Sequence, residues 1–181
     1  EVGDNPRNGL EIELTDEQYA ELAEGDYTAA LSMGWLGDDW ATEQIGGIRA
    51  ELERMGIRVV AVTNADWSDA KQISDLETIA ALEPDLLFSI PLNAETTDGA
   101  YRQVYNTGTQ IVFIDQLAQS FTLGEDAVGT VAADCYELGM HLADLLMDAT
   151  GEEGPVGLMY FENDFWVTNL RTYGFVARMI T

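Results

Sequence analysis

The chain has 181 residues, of which 46% are apolar, enough for one domain with a substantial core or for one domain and part of a second. Its 33 acidic residues outnumber seven Arg and one Lys and give a net charge of −25. That charge repels phosphate backbones and anionic lipid surfaces, so it argues against nucleic acid as a partner. It also fits adaptation to high salt, where repulsion between charges is screened.

The composition also limits the chemistry and the location. No apolar run approaches the roughly 20 residues needed to cross a bilayer, so we expect contact with a membrane to be peripheral at most. The first residue is Glu1 and no signal-peptide pattern is present, so we expect any signal to have been removed. One cysteine, Cys135, and one histidine, His141, exclude an internal disulfide and argue against a zinc site. We therefore predict no metal and no cofactor.

The chain opens with an acidic lead-in segment, residues 1–26, which we expect to be disordered to about Leu10. Thr15 and Gln18 have the spacing of a capping box for a short helix at 15–23. From Tyr27 onward the pattern changes to repeated strand and helix units. Strands are expected at 27–33, 57–62, 85–90 and 110–114, and helices at 40–55, 69–82 and 94–107.

These units predict a doubly wound parallel α/β lobe over residues 27–132. Continuously apolar strands such as 111–114 are typical of a sheet covered on both faces, and right-handed crossovers then order the units. Asp38 or Asp39 is expected to cap the first helix of the lobe, and Ser68 the second.

The regular alternation of strands and helices ends after Asp115. A loop is expected there, followed by a strand at 127–132, a helix at 134–149, a strand at 156–161 and a helix from 167 to the end. Residues 133–181 are interpreted as the incomplete start of a second, similar lobe. Because the helical pattern runs into Thr181 without a terminator, we expect the chain to be truncated or cleaved there.

Polar and aromatic side chains follow each of the four predicted strands. In open parallel sheets, ligands bind beyond the carboxyl ends of the strands. Carboxylates and amides hydrogen-bond hydroxyl groups and an indole covers the apolar face of a ring, so a polyhydroxylated ligand is predicted, with the turn at 34–40 as one wall. Taken singly, each residue could instead cap a helix or pack in the core. The residues are Asp38, Asp39, Trp40, Asn64, Asp66, Trp67, Pro91, Leu92, Asn93, Asp115 and Gln116.

Common catalytic and nucleotide-binding motifs are absent from the sequence. The glycines after the first strand do not form G-x-G-x-x-G, and the carboxylates beside them would repel a pyrophosphate. Neither a phosphate-binding G-x-x-x-x-G-K-[ST] loop nor a G-x-S-x-G nucleophile elbow occurs. His141 lies in mid-helix and Cys135 lacks a basic neighbour in sequence, so both are interpreted as structural. The protein is therefore not expected to be an enzyme.

From Tyr27 onward the pattern resembles the type I periplasmic-binding-protein family, the ribose-binding-protein-like sugar-binding proteins of ABC importers. The motifs that carry the resemblance are Gly-Asp-Asp-Trp at 37–40, Gln-Ile-Ser-Asp-Leu-Glu at 72–77, Phe-Ile-Asp-Gln at 113–116, Val-Ala-Ala-Asp at 131–134 and Arg-Thr-Tyr-Gly-Phe at 171–175. Together these motifs are fairly specific for the family.

The resemblance implies a sugar or polyol bound between two lobes and delivered to an ABC importer permease. Trp40 would stack on the sugar, Asp115 would bind its hydroxyls, Arg171 would reach across from the second lobe, and Phe165 and Trp166 would add stacking there. Gln116 stands where members often have Arg, which argues against ribose itself. The predicted ligand contacts are Asp38, Asp39, Trp40, Asn64, Asp66, Asp115, Gln116, Phe165, Trp166 and Arg171.

The resemblance further implies the setting in which the protein works. It implies a transport protein that acts as a monomer, secreted to the periplasm or cell exterior, free or tethered as a lipoprotein.

Two other classes share this architecture. The effector-binding domain of a lactose-repressor-like regulator has the same fold, although the acidic segment 1–26 is poor material for contacting DNA. A flavodoxin-like or Rossmann-like enzyme is the second alternative, because fold alone does not determine function. Bound nucleotide or flavin would identify the enzyme.

Overall fold

A computed structural model describes residues 12–151, 154–160 and 165–180. None of the helices in these ranges is long and apolar enough to span a bilayer. The helices are α1 (Asp16–Glu24), α2 (Asp39–Arg54), α3 (Asp69–Leu82), α4 (Asp98–Asn106), α5 (Cys135–Thr150) and α6 (Trp166–Met179). The strands are β1 (Thr28–Met33), β2 (Arg58–Asn64), β3 (Leu86–Ser89), β4 (Gln110–Ile114) and β5 (Gly129–Val131).

The five strands form one parallel sheet in the order β2-β1-β3-β4-β5. This order confirms the predicted doubly wound α/β architecture. The chain winds outward in opposite directions on either side of the boundary between β1 and β3. Loops at such a boundary diverge and leave a crevice at the carboxyl ends of the strands, where ligands of open α/β sheets bind.

Both faces of the sheet are covered by helices. Along β1, Ala29 and Leu31 pack towards Leu52 of α2, whereas Ala30 packs on the other face with Leu76 of α3. This alternation follows from the two-residue period of a strand. Tyr101 of α4 completes the second face and is fully buried. The sheet is therefore a rigid platform for the loops at its carboxyl edge.

Most of the predicted helix starts are confirmed. Thr15 and Gln18 form the reciprocal capping box, while the side chains of Asp38 and Ser68 accept hydrogen bonds from the first turns of α2 and α3. Helix α4 begins later than predicted. The reason is Asn93, whose Oδ1 accepts from the amides of Glu95 and Thr96 and holds residues 93–97 in a turn before the helix.

The predicted strand at 156–161 is wrong over its described part. Residues 156–160 form no regular structure and are exposed. A strand needs a neighbour to pair with, and the described strands all belong to one sheet, which ends at β5. Phe161, the predicted disorder up to Leu10 and the predicted helix end at Thr181 lie outside the described residues.

After β5 the chain leaves the sheet through residues 132–134 and forms the closely packed helix pair α5 and α6. The contact depends on two glycines: a Cβ on Gly139 would lie 2.1 Å from the carbonyl oxygen of Arg171, and one on Gly174 would lie 2.0 Å from that of Tyr136. No side chain fits at these separations, so the two backbones touch. An ion pair between Arg178 and Asp144, at 2.6 Å, lies further along the pair.

The start of α6 packs against the carboxyl edge of the sheet. Phe165 and Val167 are buried in one apolar cluster with Met33, Ile90, Ile114 and Cys135. Met33 and Ile114 end β1 and β4, and Ile90 directly follows β3. Burial of each large apolar side chain contributes roughly 1.5–3 kcal/mol. We call this cluster the apolar seam; it brings the α5 and α6 pair to the crevice.

We predict that Gly139→Ala destabilises the fold by about 1–3 kcal/mol, because the added methyl group forces α5 and α6 apart. The free energy of unfolding from chemical denaturation measures this change. Gly46→Ala is the matched control, since Gly46 lies inside α2 and a methyl group there would meet nothing within 4 Å outside its own helix. The control should gain about 0.5–1 kcal/mol from higher helix propensity. Equal effects of the two substitutions would contradict the close-contact explanation.

Candidate functional site

A cavity of about 380 Å³ lies between the carboxyl edge of the sheet and the start of α6. This volume is within the range of small-molecule sites, about 300–1,000 Å³. One side comes from the loops after β1, β2 and β4, and the other comes from α6 and the residue before it. The lining residues are Trp35, Asp38, Trp40, Trp67, Asp115, Phe165, Val167, Thr168 and Arg171.

Three indole rings form an aromatic wall. Trp35 stacks on Trp67 with ring centroids 4.3 Å apart and planes 9° from parallel, and on Trp40 with centroids 5.5 Å apart and planes 16° from parallel. Trp40 and Trp67 keep 42% and 56% of their surface exposed. Each stacked pair adds about 0.5–1.5 kcal/mol beyond its burial, so the wall is a fixed surface.

Asp38 fixes the wall to the protein. One carboxylate oxygen accepts from the backbone amide of Ala41, 2.8 Å away, and the other accepts from the indole nitrogen of Trp35, 2.9 Å away. The same side chain therefore caps α2 and sets the orientation of the central indole. It also lines the cavity, where its remaining lone pairs can accept hydrogen bonds from a ligand.

Asp115 is held in a strained turn at the end of β4. Its φ is +65°, and the amide of Gln116 donates to the carbonyl of Ile114, 2.8 Å away, to close a three-residue turn. Turns of this kind are rare and strained, and such strain concentrates at ligand-binding positions. Burial raises the pKa of the Asp115 carboxyl, and the positive charge of Arg171 partly opposes that increase.

The second side of the cavity depends on the register of α6. Thr168 and Arg171 are three residues apart on this helix, so they share a face. The carbonyl of Arg171 lies over Gly139, so the absence of a side chain on α5 determines how closely this face approaches. Below it, Phe165 and Val167 of the apolar seam form a nonpolar floor. A guanidinium on one side thus faces carboxylates and indoles on the other.

The structure brings half of the predicted ligand contacts to the cavity. Those that line it are Asp38, Trp40, Asp115, Phe165 and Arg171. They come from both predicted lobes and from positions as far apart in the sequence as 38 and 171. The common cavity results from the apolar seam.

The other five predicted contacts lie outside the lining. Asp39 is exposed in the first turn of α2, and Asp66 is exposed in the turn after β2. Asn64 stabilises that turn, since its Oδ1 accepts from the amide of Asp66 at 2.9 Å. Gln116 and Trp166 are hydrogen-bonded to each other behind the cavity.

Four lining residues are not among the predicted ligand contacts: Trp35, Trp67, Val167 and Thr168. The Trp-x-x-Asp spacing from Trp35 to Asp38 could have identified the first, because it places an indole donor next to a helix cap. Trp67 is one of the side chains that follow the predicted strands, although it is not included in the predicted ligand contacts. It reaches the wall because Asp66 and Trp67 both adopt left-handed conformations, with φ of +52° and +61°. A bulky side chain rarely adopts this conformation.

The described residues offer no obvious metal centre, since no three His, Cys, Asp or Glu side chains cluster among them. Cys135 is buried in the apolar seam as a free thiol, in agreement with its structural interpretation. The lining contains carboxylates, a hydroxyl and a guanidinium set among indoles. Such a lining offers hydrogen-bonding groups to hydroxyls and flat apolar faces to a ring.

Fold and cavity together define an α/β protein with a candidate ligand site at the switch point of a parallel sheet. The family model of the periplasmic binding protein domain matches residues 29–179, and the chain belongs to that family. No curated protein sequence matches it significantly.

Solved structures of sugar-binding proteins share the fold. The sugar-binding protein of a sugar ABC transporter from Bacillus halodurans is 18% identical, with a TM-score of 0.73, over 87% of this chain and 52% of its own. A carbohydrate transporter solute-binding protein from Agrobacterium radiobacter, in complex with D-arabinose, is 20% identical, with a TM-score of 0.74, over 87% and 54%. The myo-inositol-binding protein of Caulobacter is 19% identical, with a TM-score of 0.71, over 86% and 51%. The chain thus spans about half the length of these proteins.

Asp38→Ala is predicted to lower the free energy of unfolding by about 1–2 kcal/mol, because it removes the cap of α2 and the acceptor of the Trp35 indole. Tryptophan emission should also shift to longer wavelength as Trp35 becomes mobile. The matched control is Asp39→Ala, which removes only a favourable charge at the helix start, worth about 0.3–1 kcal/mol. An unchanged emission spectrum in Asp38→Ala would show that the carboxylate does not hold the wall.

Proposed function

We propose that the chain is part of an extracytoplasmic solute-binding protein that binds a sugar or polyol between two lobes. The first lobe comprises residues 27–132, and the second begins at residue 133 with α5 and α6. The observation that carries the proposal is the cavity in which an indole wall and Asp115 of the first lobe face Arg171 of the second.

The chemistry of the lining favours a neutral, hydroxyl-rich ring. An indole face packs against the C–H groups of a sugar, while Asp38, Asp115 and Thr168 accept hydrogen bonds from its hydroxyls. Arg171 donates to ring or hydroxyl oxygens. Two carboxylates opposing one guanidinium disfavour an anionic ligand such as a sugar phosphate.

The proteins of similar fold support this ligand class. Solved structures of that fold are described with D-arabinose, D-allose and myo-inositol bound. All three are small and neutral, and they present several hydroxyl groups. We propose that this protein takes a ligand of the same class, with the identity determined by Trp40, Asp115, Arg171 and residues of the full-length protein beyond this chain.

We propose delivery to an ABC importer on the basis of the two-lobe arrangement. A ligand that contacts both lobes favours the closed form, and a permease can recognise that form through surfaces the open form separates. We propose that the protein acts as a monomer in the periplasm or at the cell exterior and has no enzymatic activity. Its net charge of −25 keeps it soluble and apart from anionic lipid.

Titration of the full-length protein with a panel of pentoses, hexoses and polyols, followed by tryptophan fluorescence, tests the ligand class. We expect at least one saturable binder, and we expect Trp40→Ala to weaken it about tenfold or more through loss of a stacking surface. Tyr173→Ala is the control, because Tyr173 is an exposed aromatic of α6 that does not line the cavity. Absence of any binder would refute the sugar proposal, and equal affinities for wild type and Trp40→Ala would exclude Trp40 as a stacking contact.

The pH dependence of sugar affinity tests the role of Asp115. Burial raises the pKa of this carboxyl, so it takes up its proton at higher pH than an exposed aspartate does. Protonation removes a charge-assisted acceptor, so affinity should fall as the pH is lowered through that pKa. Asp115→Asn should bind roughly tenfold more weakly or worse and should lose this pH dependence. A variant with the same pH profile as wild type would exclude Asp115 as the titrating group.

A further inference from the structure

Gln116 makes two hydrogen bonds behind the cavity, and they join parts of the chain that are far apart in sequence. Its Nε2 donates to the carbonyl of Pro91, 2.6 Å away, and its Oε1 accepts from the amide of Trp166, 3.2 Å away. The side chain keeps only 6% of its surface exposed. Water therefore competes weakly with either bond.

The orientation of the Gln116 amide is determined by its partners. The carbonyl of Pro91 can only accept a hydrogen bond and the amide of Trp166 can only donate one, so the nitrogen must face Pro91 and the oxygen must face Trp166. Pro91 and Gln116 both belong to the first lobe, shortly after β3 and β4. The bond between them holds the oxygen towards α6.

Helix α6 needs this acceptor. The first amides of a helix have no partner within it, and the residue that precedes α6, Phe165, provides no side-chain cap. Gln116 supplies the missing acceptor from the other lobe. The same helix carries Thr168 and Arg171, so the bond fixes the end of the element that forms the second side of the cavity.

We propose that Gln116 is a latch between the lobes: a positioning residue that stabilises the closed form by capping α6, without touching the ligand. This inference rests on the proposed two-lobe function. Opening the lobes breaks the bond to Trp166, whereas the bond to Pro91 persists and keeps the oxygen ready for the next closure. Gln116 therefore adds to the apolar seam in setting the population of the closed form, and through it the apparent affinity.

The surroundings of Gln116 fit a latch better than a ligand contact. Both polar ends of the amide are already bonded, and the side chain is absent from the residues that line the cavity. The adjacent residue, Asp115, occupies the strained turn and faces the cavity instead. The two neighbouring residues after β4 thus have different partners: Asp115 faces the cavity, and Gln116 is bonded to α6.

The test compares full-length wild type with Gln116→Met, which keeps the length of the side chain and removes both hydrogen bonds. Without sugar, small-angle X-ray scattering should give a larger radius of gyration for the variant. Hydrogen exchange at the Trp166 amide should be about 5- to 10-fold faster, as expected for loss of one shielded bond. Gln119→Met is the control, since Gln119 is exposed in the neighbouring loop.

Unchanged scattering and exchange relative to the control would overturn the proposal. A lower unfolding temperature with an unchanged radius of gyration would also overturn it, because this result indicates a purely structural role. Where Gln116→Met does not fold, exchange in wild type decides: a Trp166 amide no better protected than the exposed first amides of α1 rules out the latch. Both measurements omit sugar, so failure to find a binder in the panel leaves this test intact.

Discussion

The apolar seam is the contact on which the candidate site depends. Met33, Ile90 and Ile114 are buried at the carboxyl ends of three neighbouring strands, Ile90 one residue after β3. Phe165 and Val167 pack onto them at the start of α6. Without this contact the carboxyl edge of the sheet would present only loops, and Arg171 would have no fixed relation to Asp115. Hydrophobic burial is non-directional, so it holds the two sides together while directional polar contacts set the geometry. The apolar seam therefore holds the polar groups of the site in place.

Local strain and close packing refine that arrangement. The left-handed conformations of Asp66, Trp67 and Asp115 direct the Trp67 and Asp115 side chains into the cavity, where an unstrained loop would direct them elsewhere. The rest of the fold offsets this strain through the buried sheet beneath. On the opposite side, the contact of Gly139 with the Arg171 carbonyl fixes how far α6 can approach. Strain and close contact therefore concentrate where ligand and lobes are proposed to meet.

The sequence predicted the sheet more fully than the candidate site. The strands and helix starts depend on local signals: continuous apolar runs, and the capping residues Thr15, Asp38 and Ser68 with the turns that follow them. The predicted strands of the sheet and these three caps all form. The strand at 156–161 failed because a strand depends on a partner, which a local pattern cannot supply. The predicted ligand contacts leave out Trp67 and include Gln116, for related reasons. The first depends on two unusual backbone conformations, and the second depends on partners 25 and 50 residues away.

The indole wall has a consequence for selectivity. Trp35 is held on its faces by stacking and at its edge by Asp38, so the wall is ordered when the protein folds and not when a ligand arrives. A surface ordered in advance costs little conformational entropy on binding, but it cannot adapt its shape. A closed ring meets such a wall with a matching flat face, whereas an open-chain polyol must first give up its own internal rotations. If the proposed sugar site is correct, we expect the stack to favour a cyclic ligand over an acyclic one with the same hydroxyl groups.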